Sequence, residues 1–514
     1  MQTSDILIVG SGIAGLSFAL HVAKKRPDLS ICILAKGDKV ESNTRYAQGG
    51  IAVVLNKLTD SFQQHIDDTL KAGGGLCNKR VVEMVVKKAP ERLKELIEWG
   101  VEFDKKESGQ FSTGLEGGHS QARILHHQDT TGLEIEQKLL LYSRQFSNIK
   151  IYQHHFALDL ITDTTNSVCY GATVLNQKDH SIEIFTSRVT MLATGGSGQV
   201  YKTTTNPTVS TGDGVAMAYR ANVAIENMQF IQFHPTAFYQ KGQSPSFLIS
   251  EAVRGFGATL VNKKGQRFLF DFDTRGELAT RDIVSEAIYT ELKKSGEEHV
   301  FMDCRHLDLA NFKTHFPNIY SYCHKAGIDI GNDWIPVAPA AHYQCGGITV
   351  NKKAQTSIPN LYACGECSCS GLHGSNRLAS NSLLEAVVFA NEASLHVLQT
   401  IDTFKQPTNF EIESVREQTV DSKRINELKN EIQTLMIQKA GIVKTQTNLQ
   451  EAGQRLIKID NIILSEFISN SPQTDLWELK NLLAVAKLIV SQSLKYITQK
   501  ETFKKNNKHL YHSL

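Results

Sequence analysis

The 514-residue sequence predicts an α/β protein with three parts. A Rossmann-like dinucleotide-binding domain is split by an inserted α+β capping domain, and a C-terminal helical bundle follows. Three observations predict this. A strand, a glycine loop, a helix and a second strand open the chain over residues 5–36. Across 228–342 the texture changes to short mixed strands and charged turns, after which the dinucleotide pattern resumes. From about 405 glycine nearly vanishes and charged helical patterning takes over. The expected boundaries are 1–227 with 343–404 for the dinucleotide domain, 228–342 for the cap and 405–514 for the bundle.

Taken in order, 5–9 is a short apolar strand, and Gly10, Gly12 and Gly15 form G-x-G-x-x-G ahead of a helix over 16–25. The first glycine permits the tight turn and the second lets backbone N–H groups approach a pyrophosphate. The third allows close helix–strand packing. After the second strand, 30–34, an acidic residue is expected to hold ribose hydroxyls, but Lys36 stands there. A cation suits an NADP phosphate, or a pyrophosphate or adenosine edge of FAD, better than plain NAD. The loop 42–50 supplies amides, a hydroxyl and glycines for lining a flat ring, and leads into the apolar run 51–55. Strands are expected at 150–153 and over 181–194, with a strand and turn at 359–366. Within the insertion a helix is expected near 281–295. Ser382 and Glu385 read as a capping box opening an apolar helix over 383–397, whose positive end would favour a reduced flavin. Leu479, Leu482, Leu483, Ala486, Ile489, Val490 and Leu494 recur at three and four residues, one apolar helix face.

Composition bounds the function. Hydrophobic residues are 41% and charged residues 21%, which excludes a disordered chain. The net charge of +2 gives no reason to expect nucleic acid. No apolar run reaches the ~18 residues of a membrane span, and no basic segment precedes Ile6, so neither a membrane anchor nor a signal peptide is expected. Nine cysteines, an odd number, read as free thiols in a reducing cytoplasm. Cys364, Cys367 and Cys369 have part of a metal spacing but no second pair, and no metal is expected.

Several longer motifs carry a resemblance: GSGIAG (10–15), NTRYAQGG (43–50), EGGHSQARILHHQDTTG (116–132), TGDG (211–214) and QFHPT (232–236). The Arg281-Asp282 pair, PAAHYQCGGI (339–348), LYACGE (361–366) and GLHGSNRLASNSLLEA (371–386) follow. The chain resembles the flavoprotein family that includes the succinate dehydrogenase and fumarate reductase flavoprotein subunits. The match covers roughly the first 400 residues and extends through Leu435-Met and 440–445. Glu116-Gly-Gly-His-Ser with Arg-Ile-Leu-His points to the aspartate-oxidising branch.

The resemblance implies an FAD-binding domain and FAD contacts at Ser11, Gly12, Ile13, Ala14, Gly15, Lys36, Asn43, Thr44, Arg45, Tyr46, Ala47, Gln48, Gly49 and Gly50. It further implies contacts at Ala157, Leu158, Asp213, Glu366, Ser382 and Leu383. Around the reacting face it implies His234, Ser250, Arg281, His342 and Arg377, with Glu116 distinguishing an amino acid from a bare dicarboxylate. The chemistry suits these residue types. Arg377 grips a carboxylate in a fork, the histidines add donors, and Glu116 pairs with an ammonium. Arg281 resembles the family's proton donor or acceptor, though a guanidinium stays protonated above pH ~12 and fits more easily as a donor.

The implied reaction is oxidation of L-aspartate to iminosuccinate by hydride transfer from Cα to flavin. Oxygen (giving hydrogen peroxide) or fumarate takes the electrons, in the first step of NAD biosynthesis via quinolinate, and quinolinate synthase is the implied partner. Covalent relatives attach FAD through a histidine where this chain has Asn43, so non-covalent FAD is expected. Two other readings are a soluble fumarate reductase, opposed by Glu116 and Asn43, and an FAD-binding scaffold, opposed by the full Arg/His set. The chain departs from the family pattern at 501–505 and at Phe256.

Overall fold

The computed structural model describes residues 1–163, 167–405, 421–467 and 472–506. The opening unit is the strand Gln2–Val9, the helix Ile13–Lys25 and the strand Ile31–Ala35. Gly10 makes the turn between strand and helix with φ +114°, a value that side-chain-bearing residues rarely adopt. The central sheet runs in the order Ile149–Gln153, Ile31–Ala35, Gln2–Val9, Ile182–Leu192, Cys169–Asn176, His155–Thr162. Its first four strands are parallel, and the last two close an antiparallel meander. Leu361–Ala363 adds in parallel to the far end of Ile182–Leu192, so chain beyond the insertion completes the sheet that the first residues began. All five residues of Ile31–Ala35 are buried, as expected for a parallel strand covered on both faces.

The insertion is built on an antiparallel sheet in the order Ile231–Phe238, Ile335–Gln344, Val300–Asp303, Thr259–Val261, with the helix Arg281–Ser295 packed on its first strand. It has its own apolar core, with Ile249, Val284, Ile288, Met302, Ile319 and Val337 inside. Phe256, a departure from the family pattern, packs edge-on to Phe312 and Phe316 in the same region.

The C-terminal helices are Ser422–Lys439, Gln446–Glu466 and Thr474–Asn506. The leucine stripe on the last one is buried from Leu479 to Val490, and Leu494 is partly buried. These helices have no separate core: Ile432, Leu456 and Ile489 belong to the same cluster as Ile8 and Leu192 of the central sheet. The basic stretch at 504–509 leaves the described residues from 507 onward.

One local expectation is corrected. The helix after the glycine-rich segment is Asn381–Thr400, and Ser382 and Glu385 form no capping box. Ser382 Oγ accepts from Arg377 instead, and the Glu385 carboxylate is taken by His373, Tyr343 and Ser370. Internal partners outcompete the cap, which leaves the first N–H groups of this helix without a side-chain cap.

Candidate active site

A single cavity of about 690 Å³ runs along the ends of the parallel strands and under the cap, a volume ordinary for a ligand site. At one end the helix Ile13–Lys25 starts without a side-chain cap on Gly12, and Thr44 Oγ1 receives the Ile13 N–H at 3.1 Å. At the other end the uncapped start of Asn381–Thr400 meets the same space. Two helix N-termini, with positive ends and spare donors, suit a pyrophosphate and a reduced ring.

Ser11, Gly12, Ile13, Ala14, Lys36, Asn43 through Gly50, Ala157, Asp213, Glu366, Ser382 and Leu383 all line this cavity. Gly15 and Leu158 do not. Gly15 is packed against the Gly10 backbone and Ile8, and Leu158 sits in a small core with Phe156, Leu175 and Trp477. The Leu158 carbonyl is already taken by Arg220. Gly15 thus serves packing, and Leu158 is a neighbour of the cavity wall rather than part of it.

Lys36 is not available to a nucleotide phosphate. Its ammonium donates to Asp213 at 2.9 Å and Thr211 at 2.7 Å, and pairs with Glu478 of the last helix at 2.8 Å. Burial alone would lower its pKa, but Asp213 and Glu478 hold it above the ordinary lysine value. Asn481 donates to the other Asp213 oxygen at 2.8 Å, so the C-terminal helix orders this end of the site.

The Asn43 side chain is tied at both ends: it donates to Glu366 at 2.7 Å and accepts from Ser210 at 2.6 Å. Glu366 also accepts the Gln344 N–H at 3.1 Å, and burial raises its carboxyl to about 7.

The other half of the cavity brings Glu116, His234, Ser250, Arg281, His342 and Arg377 together. His234 and His342 come from paired cap strands, their rings 5.0 Å apart. The Thr236 N–H donates to His234 Nδ1, which assigns the proton to Nε2, and that buried nitrogen has no partner. His342 Nδ1 lies 2.8 Å from Thr205 Oγ1. Burial, followed by nearby arginines, pushes both histidines well below their usual range, so both are neutral. Ser250 caps a short helix, accepting from the Ala252 N–H at 3.3 Å. Arg377 donates to Ser382 at 2.6 Å and to Gln232 at 3.2 Å, and lies 4.1 Å over the Tyr343 ring. Its Nε is buried without a partner, and burial beside Arg281 lowers its pKa to about 10.

Arg281 is the start of a buried chain of charge. Its Nε donates to Glu251 at 2.6 Å, and Glu251 accepts from Arg254 at 2.8 Å. Burial would raise Glu251, yet the two guanidiniums hold it below the usual carboxylate range. Gln232 accepts from both Arg281 (3.0 Å) and Arg377 (3.2 Å), and so separates the two cations. Glu116 is 2% exposed, and burial, then Glu251, pushes its carboxyl up, while Arg281, Ser380 and Arg377 pull it down.

Sequence reasoning missed Glu251, Arg254, Gln232 and Ser380. Signals existed: Gln232 opens QFHPT, Glu251 follows Ser250, and Ser380 lies within ASNSLLE. Nothing in the sequence pointed to Glu478 or Asn481, whose roles depend on where a distant helix lands.

A glycine turn at a helix start, a cavity floored by parallel strand ends and a cluster of buried arginines and histidines are the features of an FAD-dependent oxidoreductase, the class to which the comparisons assign the chain. The chain matches the family model for the FAD binding domain over residues 5–383. Its structure is similar to E. coli quinol fumarate reductase, with TM-score 0.88 and 31% identity over 96% of this chain and 89% of that one. An L-aspartate oxidase of Pseudomonas aeruginosa is 42% identical over 95% of this chain and 93% of its own length. A chloroplastic L-aspartate oxidase of Arabidopsis thaliana is 41% identical over 95% of this chain and 79% of its length. The chain belongs to the L-aspartate oxidase family of FAD-binding flavoproteins. Among the described residues, no helix is long and apolar enough to cross a membrane.

Proposed function

We propose that the chain oxidises L-aspartate to iminosuccinate, and that oxygen or fumarate takes up the electrons. The observation that carries this reading is the buried Glu116 carboxylate, which lines the same cavity as Arg281, Arg377, His234 and His342. The cations and the His234 Nε2–H suit the two carboxylates of a four-carbon acid, and Glu116 suits its ammonium. FAD, when bound, would supply the acceptor for the hydride that leaves Cα.

Arg377 grips a carboxylate, fixed in orientation by Ser382, Gln232 and the Tyr343 face. His342, steadied by Thr205, adds a donor. Arg281 holds negative charge on the bound acid as a fixed cation, oriented by Glu251, whose own charge Arg254 balances from behind. Asn43 has no ring nitrogen and both its polar atoms are engaged, which supports non-covalent FAD.

Two electrons reduce oxygen to hydrogen peroxide, or fumarate to succinate. The imine product hydrolyses in water, which favours hand-off to the enzyme that consumes it, quinolinate synthase, toward NAD. All nine cysteines are free, in keeping with work in a reducing compartment such as the cytoplasm. The segment 228–342, with its own core and four of the substrate-side residues, acts as a cap that closes over the acid.

The test is anaerobic reduction. L-Aspartate should bleach the yellow holoenzyme, D-aspartate should not, and acid precipitation should then leave the flavin in the supernatant. Equal bleaching by succinate would overturn the amino-acid reading, and flavin held in the pellet would overturn non-covalent binding.

A further inference from the structure

We propose that Ser380 is a positioning residue that aims the Glu116 carboxylate and thereby sets the preference for an amino-bearing dicarboxylate. The inference rests on the reading of Glu116 as the ammonium's partner. Ser380 stands at the N-cap of Asn381–Thr400, where a serine ordinarily turns its hydroxyl onto the first N–H groups of its helix. Here it makes no such bond. Its backbone is left-handed, with φ +59°, a conformation that costs a residue bearing a side chain. That conformation accompanies a hydroxyl turned outward, which donates to Glu116 Oε2 at 2.6 Å and accepts the Gly50 N–H at 3.2 Å. One side chain thus joins the Glu116 loop to the loop that lines the flavin space.

The other side of the carboxylate is shaped to match. A Cβ added at Gly49 would lie 2.8 Å from Glu116 Oε1, so only a glycine leaves this carboxylate its seat. The backbone before Ser380 is pinned as well. The Ala379 carbonyl accepts from His119 Nε2 at 2.9 Å, and Arg123 donates to His119 Nδ1 at 2.8 Å. Arg123 is held in turn by Asp60 and Asp68.

The physical consequence concerns both direction and charge. A hydroxyl donor favours the ionised carboxylate, which accepts only. The charged groups facing Glu116 are Glu251, which opposes its ionisation, and Arg281 and Arg377, which favour it. Without Ser380, Glu116 is free to swing onto those arginines. It would then neutralise the cations meant for the substrate carboxylates and offer no anion to the ammonium.

The experiment compares Ser380→Gly, Ser380→Ala and Glu116→Gln as holoenzymes. Glycine keeps the left-handed backbone at no cost, so it removes the hydroxyl and with it two contacts, the donor to Glu116 and the acceptor of the Gly50 N–H. For Ser380→Gly, kcat/KM for L-aspartate should fall about tenfold, mostly through KM. The acid limb of its pH profile should move to higher pH, because the ionised Glu116 has lost a donor. Fumarate reduction, and malonate binding read from the flavin difference spectrum, should change by less than about threefold. In the Glu116→Gln background Ser380→Gly should cost less than about threefold in kcat/KM for L-aspartate, the share left to the Gly50 contact. Equal losses with aspartate and fumarate, or an unmoved acid limb, would overturn the proposal and leave Ser380 a structural residue. If Glu116→Gln alone spares aspartate, the ammonium reading of Glu116 fails first, and Ser380's role falls with it. Should Ser380→Ala retain little flavin, the glycine variant decides.

Discussion

The two ends of the cavity treat charge in opposite ways. At the nucleotide end, Lys36 is neutralised by Asp213 and Glu478, and Asn43 is spent on Glu366 and Ser210. At the substrate end, His234 Nε2 and Arg377 Nε are buried donors with no partner, and Gln232 holds two arginines beside each other. Burying a polar group without a partner costs free energy, and burying like charges side by side costs more. At the substrate end that cost falls on donors and cations, the groups an anion would satisfy. On the proposed reading the nucleotide end would bind through backbone and shape, and the substrate end through charge.

The sharpest way to break this contrast is at Arg377. Arg377→Lys keeps the charge but loses the planar fork, and its contacts to Ser382, Gln232 and the Tyr343 face depend on that plane. The loss should be about 3–4 kcal/mol in transition-state binding, or roughly two to three orders of magnitude in kcat/KM for L-aspartate. Steady-state kinetics below saturation measures it. An unchanged kcat/KM would mean that charge alone suffices there.

At the nucleotide end the expected effect is smaller and shows in binding and stability. Lys36→Met strips the cation from two carboxylates that are nearly buried. Leaving buried charge uncompensated costs about 3 kcal/mol. The variant should melt at lower temperature and bind FAD more weakly in titrations of the apoprotein, while its KM for aspartate, measured with saturating FAD, stays near that of the parent. A raised KM with unaltered FAD affinity would show that the two ends are not separable in this way.

The contrast also explains what the sequence made legible. The glycine turn, the parallel strands and the NTRYAQGG loop are local, so spacing reveals them. The substrate-side residues were reached only by resemblance, because His234, His342, Arg281 and Arg377 lie on four separate elements that meet in space. The ion pairs of Lys36 were not legible, because its partners, Asp213 and Glu478, lie 177 and 442 positions away. The capping box at Ser382 was a correct local pattern overruled by tertiary partners: Arg377 took the serine, and His373, Tyr343 and Ser370 took Glu385. Glu251 and Arg254 were invisible as partners of Arg281 until the helix Arg281–Ser295 was laid against them.

An ionisable group behind the loop of the nucleotide end goes against the contrast, and it yields the smallest effect. Glu136 is fully buried on the helix Thr131–Ser143; Ser42 donates to one carboxylate oxygen and the other has no partner. Burial raises its carboxyl from the ordinary 4.5 to about 8. Between these values the folded protein keeps a proton that the unfolded chain releases, so the contribution of this group to stability falls as pH rises from about 4.5 to 8. Glu136→Gln removes the titration and keeps the acceptor for Ser42. It places an amide N–H₂ at the unpartnered position, and any cost of that is the same at every pH. The melting temperature of the variant relative to the parent should therefore climb between pH 5 and pH 8, by the equivalent of about 1–3 kcal/mol. The slope is the diagnostic, not the offset. A difference that stays flat across this range would mean that Glu136 ionises normally, and that the nucleotide end has no exception to its rule of satisfied charge.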